Sequence, residues 1–244
     1  MRRITLEICV DDAAGIAAAR AGGADRIELC AALALGGLTP SPGLMAQAAG
    51  CGLPAMAMIR PRAGDFCWTA PEVEMLCAEI RASRAAGLAG VVIGASHSDG
   101  RLDSDVLQRL VQEAQGMDIT LHRAIDLVPD PEAAMRLIEG LGIRRVLSSG
   151  GAVRAEAGIA RLQAMARAAP LVSVMPGGGV SGTNVAVFAR ALPLREIHGS
   201  ASDPVPPPAL AAVTAFGFQP QGARKTDAAK VRALRGALDG IAAG

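Results

Sequence analysis

The stretch Gly22-Gly23-Ala24-Asp25-Arg26-Ile27-Glu28-Leu29-Cys30 contains the repeating unit that decides the fold. Paired glycines follow a helical segment, as is typical of a helix C-terminus, and a short apolar strand begins just after them. The same order recurs at residues 87–94 and 142–148. Helical segments that alternate with short apolar strands indicate βαβ units and a parallel sheet.

Eight segments have the character of such strands, at residues 5–9, 26–30, 55–60, 91–94, 119–123, 146–149, 171–175 and 196–198. The helical segments between them are residues 12–21, 42–49, 71–86, 104–114, 131–139, 155–168 and 182–191. This strand count in a chain of 244 residues predicts an α/β fold, a single (β/α)8 TIM barrel. A doubly wound sheet is disfavoured because the first βα turn lacks G-x-G-x-x-G.

The pattern weakens beyond the eighth strand. The proline-rich segment at 203–208 cannot lie in a helix interior. A last helix is predicted over residues 227–239, with Thr226 as its N-cap. We therefore expect one TIM-barrel domain over residues 1–244, in which residues 202–244 form a C-terminal loop and helix.

Composition and charge exclude several partners. The net charge is +1 and aromatic residues make up only 2%, so the chain has neither the basic surface nor the stacking residues of a nucleic-acid-binding or membrane-surface protein. No apolar run is long enough to cross a bilayer, and no signal-peptide core is present. Five cysteines without tight clustering fit a reducing compartment, so we expect a cytoplasmic location.

Alternation along the strands predicts which side chains enter the barrel lumen, because residues i and i+2 share a face. The polar set on the lumen face is Glu7, Cys9, Glu28, Cys30, Glu196 and His198. Side chains at the C-terminal strand ends line the catalytic mouth of TIM barrels. A buried carboxylate needs a partner, and Arg60, Arg62 and Arg123 are the predicted partners.

Cys9 and Cys30 end two such strands, which gives the mouth two thiols. Soft thiolates select Cu(I), Zn or Fe–S, and two are enough for Cu(I). Zn would need four ligands, to which His122, His198 or Met58 could add. The alternative is that both cysteines are inert, buried packing residues.

Two further strand ends carry polar groups. His122 and Asp126 could form a hydrogen-bonded acid/base pair, or the histidine could be purely structural. Arg62, in the loop after the third strand, has the fork that suits a carboxylate or phosphate ligand. Its alternative role is an internal tie to Asp65 that holds the loop.

Glycines follow the seventh and eighth strands, where TIM barrels often bind phosphate. Gly177, Gly178 and Gly179 follow the seventh strand, and Gly199 and Ser200 follow the eighth. Glycines allow backbone N–H groups to reach an anion, so these residues are a candidate anion site. They could equally be simple turns.

These motifs together resemble the CutC family, which is named for copper homeostasis. The first strand matches its E-x-C motif. The other matching segments are residues 23–30 (GADRIELC), 36–41 (GGLTPS), 59–66 (IRPRAGDF), 120–126 (TLHRAID), 147–150 (LSSG) and 175–180 (MPGGGV). Ala63, Leu121, Ile125 and Ser148 replace the family's usual residues within them.

The resemblance implies a cytoplasmic TIM-barrel protein that is commonly oligomeric and binds Cu(I) through the two strand-end cysteines, here Cys9 and Cys30. Two features depart from the family pattern. The segment at 198–201 lacks the cysteine that some members carry after the histidine. The tail after Asp203 matches poorly until residues 225–227.

Two functions follow from the sequence. The leading interpretation is a copper-homeostasis protein that binds Cu(I) through Cys9 and Cys30. The alternative is a lyase, aldolase or isomerase that acts on a small phosphorylated or carboxylated compound. Its candidate catalytic residues are Glu7, Glu28, Arg60, His122, Asp126 and His198. No lysine lies at a strand end, which argues against a Schiff-base aldolase.

Overall fold

The computed structural model describes residues 3–220 and 222–243. Eight parallel strands form one sheet that curls into a nearly closed barrel, with β7 beside β8, so the predicted TIM barrel is confirmed. The strands are β1 Thr5–Val10, β2 Arg26–Leu29, β3 Ala55–Met58, β4 Gly90–Ile93, β5 Asp118–Leu121, β6 Arg145–Ser148, β7 Ser173–Pro176 and β8 Glu196–Gly199. Met1 and Gly244, the predicted domain limits, fall outside the described residues.

Helices follow the strands in order. They are α1 Ala13–Gly22, α2 Pro42–Ala49, α3 Ala70–Ala85, α4 Ser104–Glu113, α5 Pro131–Gly140, α6 Ile159–Ala168, α7 Val185–Ala191, α8 Ala212–Ala215 and α9 Ala228–Ala243. Their ends carry the expected caps. Asp12 accepts the Gly15 N–H at the start of α1, and Gly23, at φ 86°, ends that helix in the left-handed conformation.

Several predicted boundaries differ from the structure by a few residues, and three of the differences have a visible local cause. The fifth strand ends at Leu121, because the His122 side chain accepts the Ala124 N–H and turns the backbone into a 3₁₀ helix. The seventh helix begins at Val185, because a turn in which Asn184 accepts the Ser181 N–H precedes it. The first turn of the predicted sixth helix, Ala155–Gly158, is also a 3₁₀ helix.

Apolar residues form two shells around the strands. The larger shell lies between strands and helices and contains Leu6, Ile8, Ile27, Leu29 and Ile197, as the alternation predicts. A smaller cluster fills the lumen and contains Cys30, Met56, Met58 and Val92. The lumen below the mouth is therefore a packed core rather than a pore.

The C-terminal extension contains more structure than a loop and a helix. Ser202–Pro204 (β9) pairs antiparallel with Arg224–Thr226 (β10). Thr226 therefore belongs to a strand, and its predicted N-cap role is wrong. Asp227 takes that role, since its side chain accepts the Lys230 N–H at 2.9 Å.

The helix that follows, α9, packs on α1. Gly22 allows this close approach, because a Cβ there would lie 2.3 Å from the Val231 Cβ atom. In the described part of the chain, none of the helices combines the length and the apolar character that a bilayer-spanning segment requires.

Candidate functional site

Strand register brings three potential ligands together at the C-terminal mouth of the barrel. Cys9 on β1 lies opposite Glu28 on β2, and Glu7 lies opposite His198 on β8. One ligand atom each from Cys9, Glu28 and His198 lies within 4.8 Å of the other two. All three side chains are buried, so the mouth contains a compact thiol, carboxylate and imidazole cluster.

A carboxylate below the cluster fixes the histidine. His198 Nδ1 lies 2.8 Å from Glu7 Oε1, and the other oxygen of Glu7 accepts from Arg26 Nε at 2.5 Å. The second ring nitrogen, Nε2, is thereby turned toward Glu28, whose Oε2 is 3.9 Å away. A carboxylate that holds one imidazole nitrogen while the other faces the site is the usual arrangement behind a metal-binding histidine.

The neighbouring charges shift the pKa values of this cluster in opposite directions. Burial alone would raise the pKa of Glu7, but Arg26 and His198 outweigh it and lower that pKa to about 2. Burial would lower the pKa of His198, yet the surrounding carboxylates raise it well above its usual value. Burial raises the pKa of Glu28. The directions of these shifts favour an ionised Glu7 and a protonated His198 in the metal-free protein.

Arg26 and Arg145 form the ion-pair layer beneath the site, and sequence reasoning missed both. Arg26 donates to Glu196 at 2.6 Å, and Arg145 donates to the same carboxylate at 2.5 Å and to Asp118 at 2.9 Å. Arg26 stands two residues before Glu28 and therefore shares its face. The alternation that identified the carboxylates could have identified this partner as well.

The predicted partners Arg60, Arg62 and Arg123 do not neutralise the inward carboxylates, so that prediction is wrong. Arg60 instead donates to the carbonyls of Leu35, Gly37 and Gly64 at 2.8–3.0 Å. The Arg60 guanidinium thereby holds the loops at the rim together, and it forms no ion pair with a lumen carboxylate among the described residues. Arg123 pairs with Asp126, its neighbour in the same turn.

Arg62 has the internal role that the sequence left open. It pairs with Glu72 at 2.5 Å and with Asp65 at 3.0 Å, and it lies over the Trp68 ring at 4.8 Å. These contacts neutralise the charge of Arg62 and hold the loop after β3 in place. Arg62 does not line the cavity that is bordered by the glycines with which it was predicted to bind an anion.

His122 and Asp126 do not bond to each other, so the predicted acid/base pair is wrong. Asp126 accepts from the Ser148 hydroxyl at 2.6 Å and from the Ser149 N–H, besides its bond from Arg123. His122 Nδ1 accepts the Ala124 N–H at 3.1 Å. The turn after β5 directs the two side chains apart, so that Asp126 bonds to Ser148 and Ser149 at the end of β6 and just after it, and His122 uses its Nδ1 within its own turn.

Cys30 lies deeper than Cys9. It is completely buried below Gly37, where a Cβ would approach its Sγ to 3.0 Å, and its Sγ is 3.7 Å from Glu28 Oε2. Burial and the adjacent carboxylate raise the pKa of the Cys30 thiol well above its usual value. The two cysteines therefore approach Glu28 from different levels.

A cavity of about 240 Å³ opens above this cluster. Ten of the predicted site residues line it: Cys9, Glu28, Arg60, His122, Gly177, Gly178, Gly179, His198, Gly199 and Ser200. Glu7, Cys30, Arg62 and Asp126 do not reach it. The cavity gives the cluster room for a metal ion or for a small ligand beside it.

The fold and the site define a TIM-barrel protein whose mouth carries a thiol, an imidazole and a carboxylate in one cluster. Residues 4–203 match the CutC family, and the chain belongs to that family. A CutC family protein of Sinorhizobium medicae is 50% identical over 244 residues, which cover 100% of this chain and 99% of the relative. A CutC family protein of Caulobacter vibrioides is 50% identical over 231 residues, which cover 94% of this chain and 94% of the relative.

A solved structure supports the same assignment. A protein from Streptococcus agalactiae, described as a candidate copper homeostasis protein CutC, superimposes with a TM-score of 0.76 at 26% identity. The match covers 81% of this chain and 98% of that protein. Copper homeostasis is, in that description, a property of the Streptococcus agalactiae protein.

Proposed function

We propose that the chain binds Cu(I) at the barrel mouth through Cys9 and His198, with Cys30 as a second thiol beside Glu28. The observation that carries this proposal is the cluster of Cys9, Glu28 and His198 ligand atoms within 4.8 Å of one another. It supports a metal ligand set that unites residues from three strands. The description of the Streptococcus agalactiae relative as a candidate copper homeostasis protein favours copper as the metal.

The donor atoms suit Cu(I) better than a hard cation. Thiolates and imidazole bind soft or borderline metals, whereas Mg²⁺ and Ca²⁺ prefer sites made of oxygen ligands. Cys9 and His198 supply one sulfur and one nitrogen, and Cu(I) accepts low coordination numbers. The pairing of Glu7 with Nδ1 leaves His198 Nε2 facing the site, where a bound metal would displace the proton that this nitrogen holds in the metal-free protein.

Cu(I) uptake in competition with a strong chelator, under anaerobic conditions, tests the proposal. The wild-type protein should take up Cu(I) stoichiometrically, and Cys9→Ser should lose this uptake. Cys67→Ser is the matched control, because Cys67 is a half-buried thiol that does not line the cavity. Equal uptake by the wild type and Cys9→Ser would contradict the proposal.

X-ray absorption of the Cu(I)-loaded protein identifies the ligand set. If His198 is a ligand, His198→Asn should remove the imidazole scattering from the spectrum. If Cys30 is the second thiol, Cys30→Ser should lower the number of sulfur neighbours. A spectrum unchanged in both variants would exclude the proposed ligands.

We also propose that the protein is cytoplasmic and forms homo-oligomers. The five cysteines are free thiols, which fits a reducing compartment. Leu210, Phe216 and Phe218 are exposed on the C-terminal extension, and such apolar groups favour an interface. Sedimentation should show an oligomer that Phe216→Ser/Phe218→Ser dissociates, while Val153→Ser, an exposed apolar control, leaves it intact. A monomeric wild-type protein would contradict the proposal that the chain forms homo-oligomers.

A specific observation favours a second candidate, an enzyme that acts on a small phosphorylated or carboxylated compound. Glu28 and His198 stand 3.9 Å apart under the cavity, and the pKa of each is raised by its surroundings. Two such groups are typical of proton transfer. Thermal-shift screening of phosphorylated and carboxylated metabolites should then find a ligand whose effect Glu28→Gln abolishes. Stabilisation only by Cu(I) would reject the enzyme.

A further inference from the structure

We propose that a basic groove beside the mouth binds the phosphate group of a small phosphorylated compound. The groove has a volume of about 570 Å³ and lies between the loops after β7 and β8 and the C-terminal extension. Arg154, Arg224 and Lys230 line it, and no carboxylate does so among the described lining residues. This site is distinct from the proposed Cu(I) site and does not depend on it.

Two of the three cations converge on a single neutral oxygen. Arg224 donates from its terminal nitrogen to the Ser202 carbonyl at 2.6 Å, and Lys230 Nζ donates to the same oxygen at 3.1 Å. Asp203 pairs with Lys230. Arg224 bonds to the hydroxyl and carbonyl of Ser202 and has no carboxylate partner among the described residues. The hairpin and the first turn of α9 thus bring two positive groups together, and one of them is paired with Asp203.

The third cation forms the opposite wall. Arg154 lies over Gly179, where a Cβ would be 3.0 Å from the guanidinium carbon, and it donates weakly to the Gly179 carbonyl at 3.3 Å. Its only carboxylate contact in the described chain is Glu156 at 3.4 Å, and that carboxylate already accepts from Asn184 at 2.9 Å. Both contacts are long and Arg154 is exposed, so its guanidinium retains donors for a ligand.

The combination of charge and position selects a phosphate. Two guanidinium forks and an ammonium group match a dianion with several acceptor oxygens better than they match a single carboxylate. The loops after strands 7 and 8 are where TIM barrels frequently hold phosphate. The groove is also much larger than a phosphate ion, so it has room for an organic group.

The groove adjoins the cavity over the thiol cluster. Gly179 and Ser200 line both spaces, so a phosphate held by the three cations would place its organic part toward the mouth. The anion site predicted from the glycines borders this groove through Gly179 and Ser200. Gly177 cannot offer its N–H there, because it donates to the Ser148 carbonyl, and the groove beside Gly179 supplies the positive charge instead.

Isothermal titration calorimetry of the full chain with inorganic phosphate and with glycerol 3-phosphate, at low ionic strength, tests the proposal. The wild type should bind, and Arg224→Gln should weaken binding by about tenfold, the loss of one charge-assisted contact. Arg154→Gln should do the same from the opposite wall without touching the hairpin. Arg232→Gln is the matched control, since Arg232 is an exposed arginine of α9 outside the groove.

The outcomes separate the possible ligands. Tighter binding of glycerol 3-phosphate identifies a phosphorylated compound, whereas equal binding identifies free phosphate, and both support a phosphate site. Failure of the wild type to bind either probe, or equal binding by all variants, would overturn it. Cys9→Ser should bind phosphate normally, so this result is independent of the Cu(I) measurement.

Discussion

The wall of the mouth built by β1, β2 and β8 differs from the wall built by β5 and β6 in the partners of its polar side chains. On the first wall, Glu7 bonds to side chains of the two neighbouring strands, which leaves Cys9 and Glu28 facing the cavity. On the second wall, Asp126 accepts hydrogen bonds from a hydroxyl and an N–H group at the end of β6 and in the loop after it. A polar strand-end residue is therefore available to a ligand only where its neighbours do not occupy it.

The two lumen histidines show the same contrast. Carboxylates surround His198 and raise its pKa, whereas burial and the adjacent Arg60 charge lower the pKa of His122 to about 3. His198 is therefore a cation tied to the ionised Glu7, and His122 is neutral and takes part in its own turn. The histidine of the first wall thus belongs to a network of charged side chains, whereas the histidine of the second wall stabilises the local backbone.

The substitution expected to change stability most is that of Glu7 on the first wall. Glu7→Gln removes a completely buried charge that Arg26 and His198 both contact, and leaves them without that counter-charge. We expect the free energy of unfolding, measured by urea denaturation, to fall by about 3–5 kcal/mol.

An exposed ion pair is the matched control for that variant. Glu74→Gln removes the partner of Arg109 on the surface, where such a pair contributes less than about 1 kcal/mol. Equal losses in the two variants would show that burial does not distinguish the first wall.

The second wall is tested at Asp126. Asp126→Asn removes the charge that orders the loop after β6, and we expect a loss of about 2 kcal/mol, because its donors are partly buried. Cu(I) uptake by the folded variant should be unchanged, since Asp126 does not reach the cavity. Loss of uptake without loss of stability would place Asp126 in the site and remove the difference between the walls.

The neutral state of His122 predicts a pH dependence. Its pKa is about 3 in the folded protein and 6.5 ordinarily, so the unfolded chain binds more protons between these values. The stability that this group contributes is fully present above pH 6.5 and is lost as the pH falls toward 3. The slope is at most about 1.4 kcal/mol per pH unit.

His122→Gln should remove this slope from urea unfolding measured at successive pH values. His97→Gln, which changes an exposed histidine, should keep it. If the slope persists in His122→Gln, then His122 is not the group that the second wall keeps neutral.

The fold could be predicted from the sequence because its signals are local. Glycines after several of the helices and alternation along the strands located all eight strands, with differences of only a few residues at their ends. The extension was harder, because β9 and β10 pair across a long connection that no short-range pattern indicates. Thr226 was assigned one residue away from the true cap, Asp227, for the same reason.

The sequence could predict which residues belong to the candidate site, but not which of them contact one another. Alternation identified Cys9, Glu28 and His198 as lumen residues. Register between strands decides which of them meet, and register places Cys9 opposite Glu28 rather than Cys30. The failed pairing of His122 with Asp126 has a related cause, because the turn that separates them depends on a side chain to backbone bond.

The smallest expected effect compares one type of contact at two depths. Arg123 Nε donates to Asp126 at 2.8 Å, much as Arg26 Nε donates to Glu7 at 2.5 Å, but the Arg123 side chain is 44% exposed. Arg123→Gln should therefore cost less than about 1 kcal/mol in urea unfolding. Arg26→Gln, which removes the buried guanidinium shared by Glu7 and Glu196, should cost several times more. If the two variants lose equal stability, the arginine contacts are equivalent, and the walls differ only in which groups face the cavity.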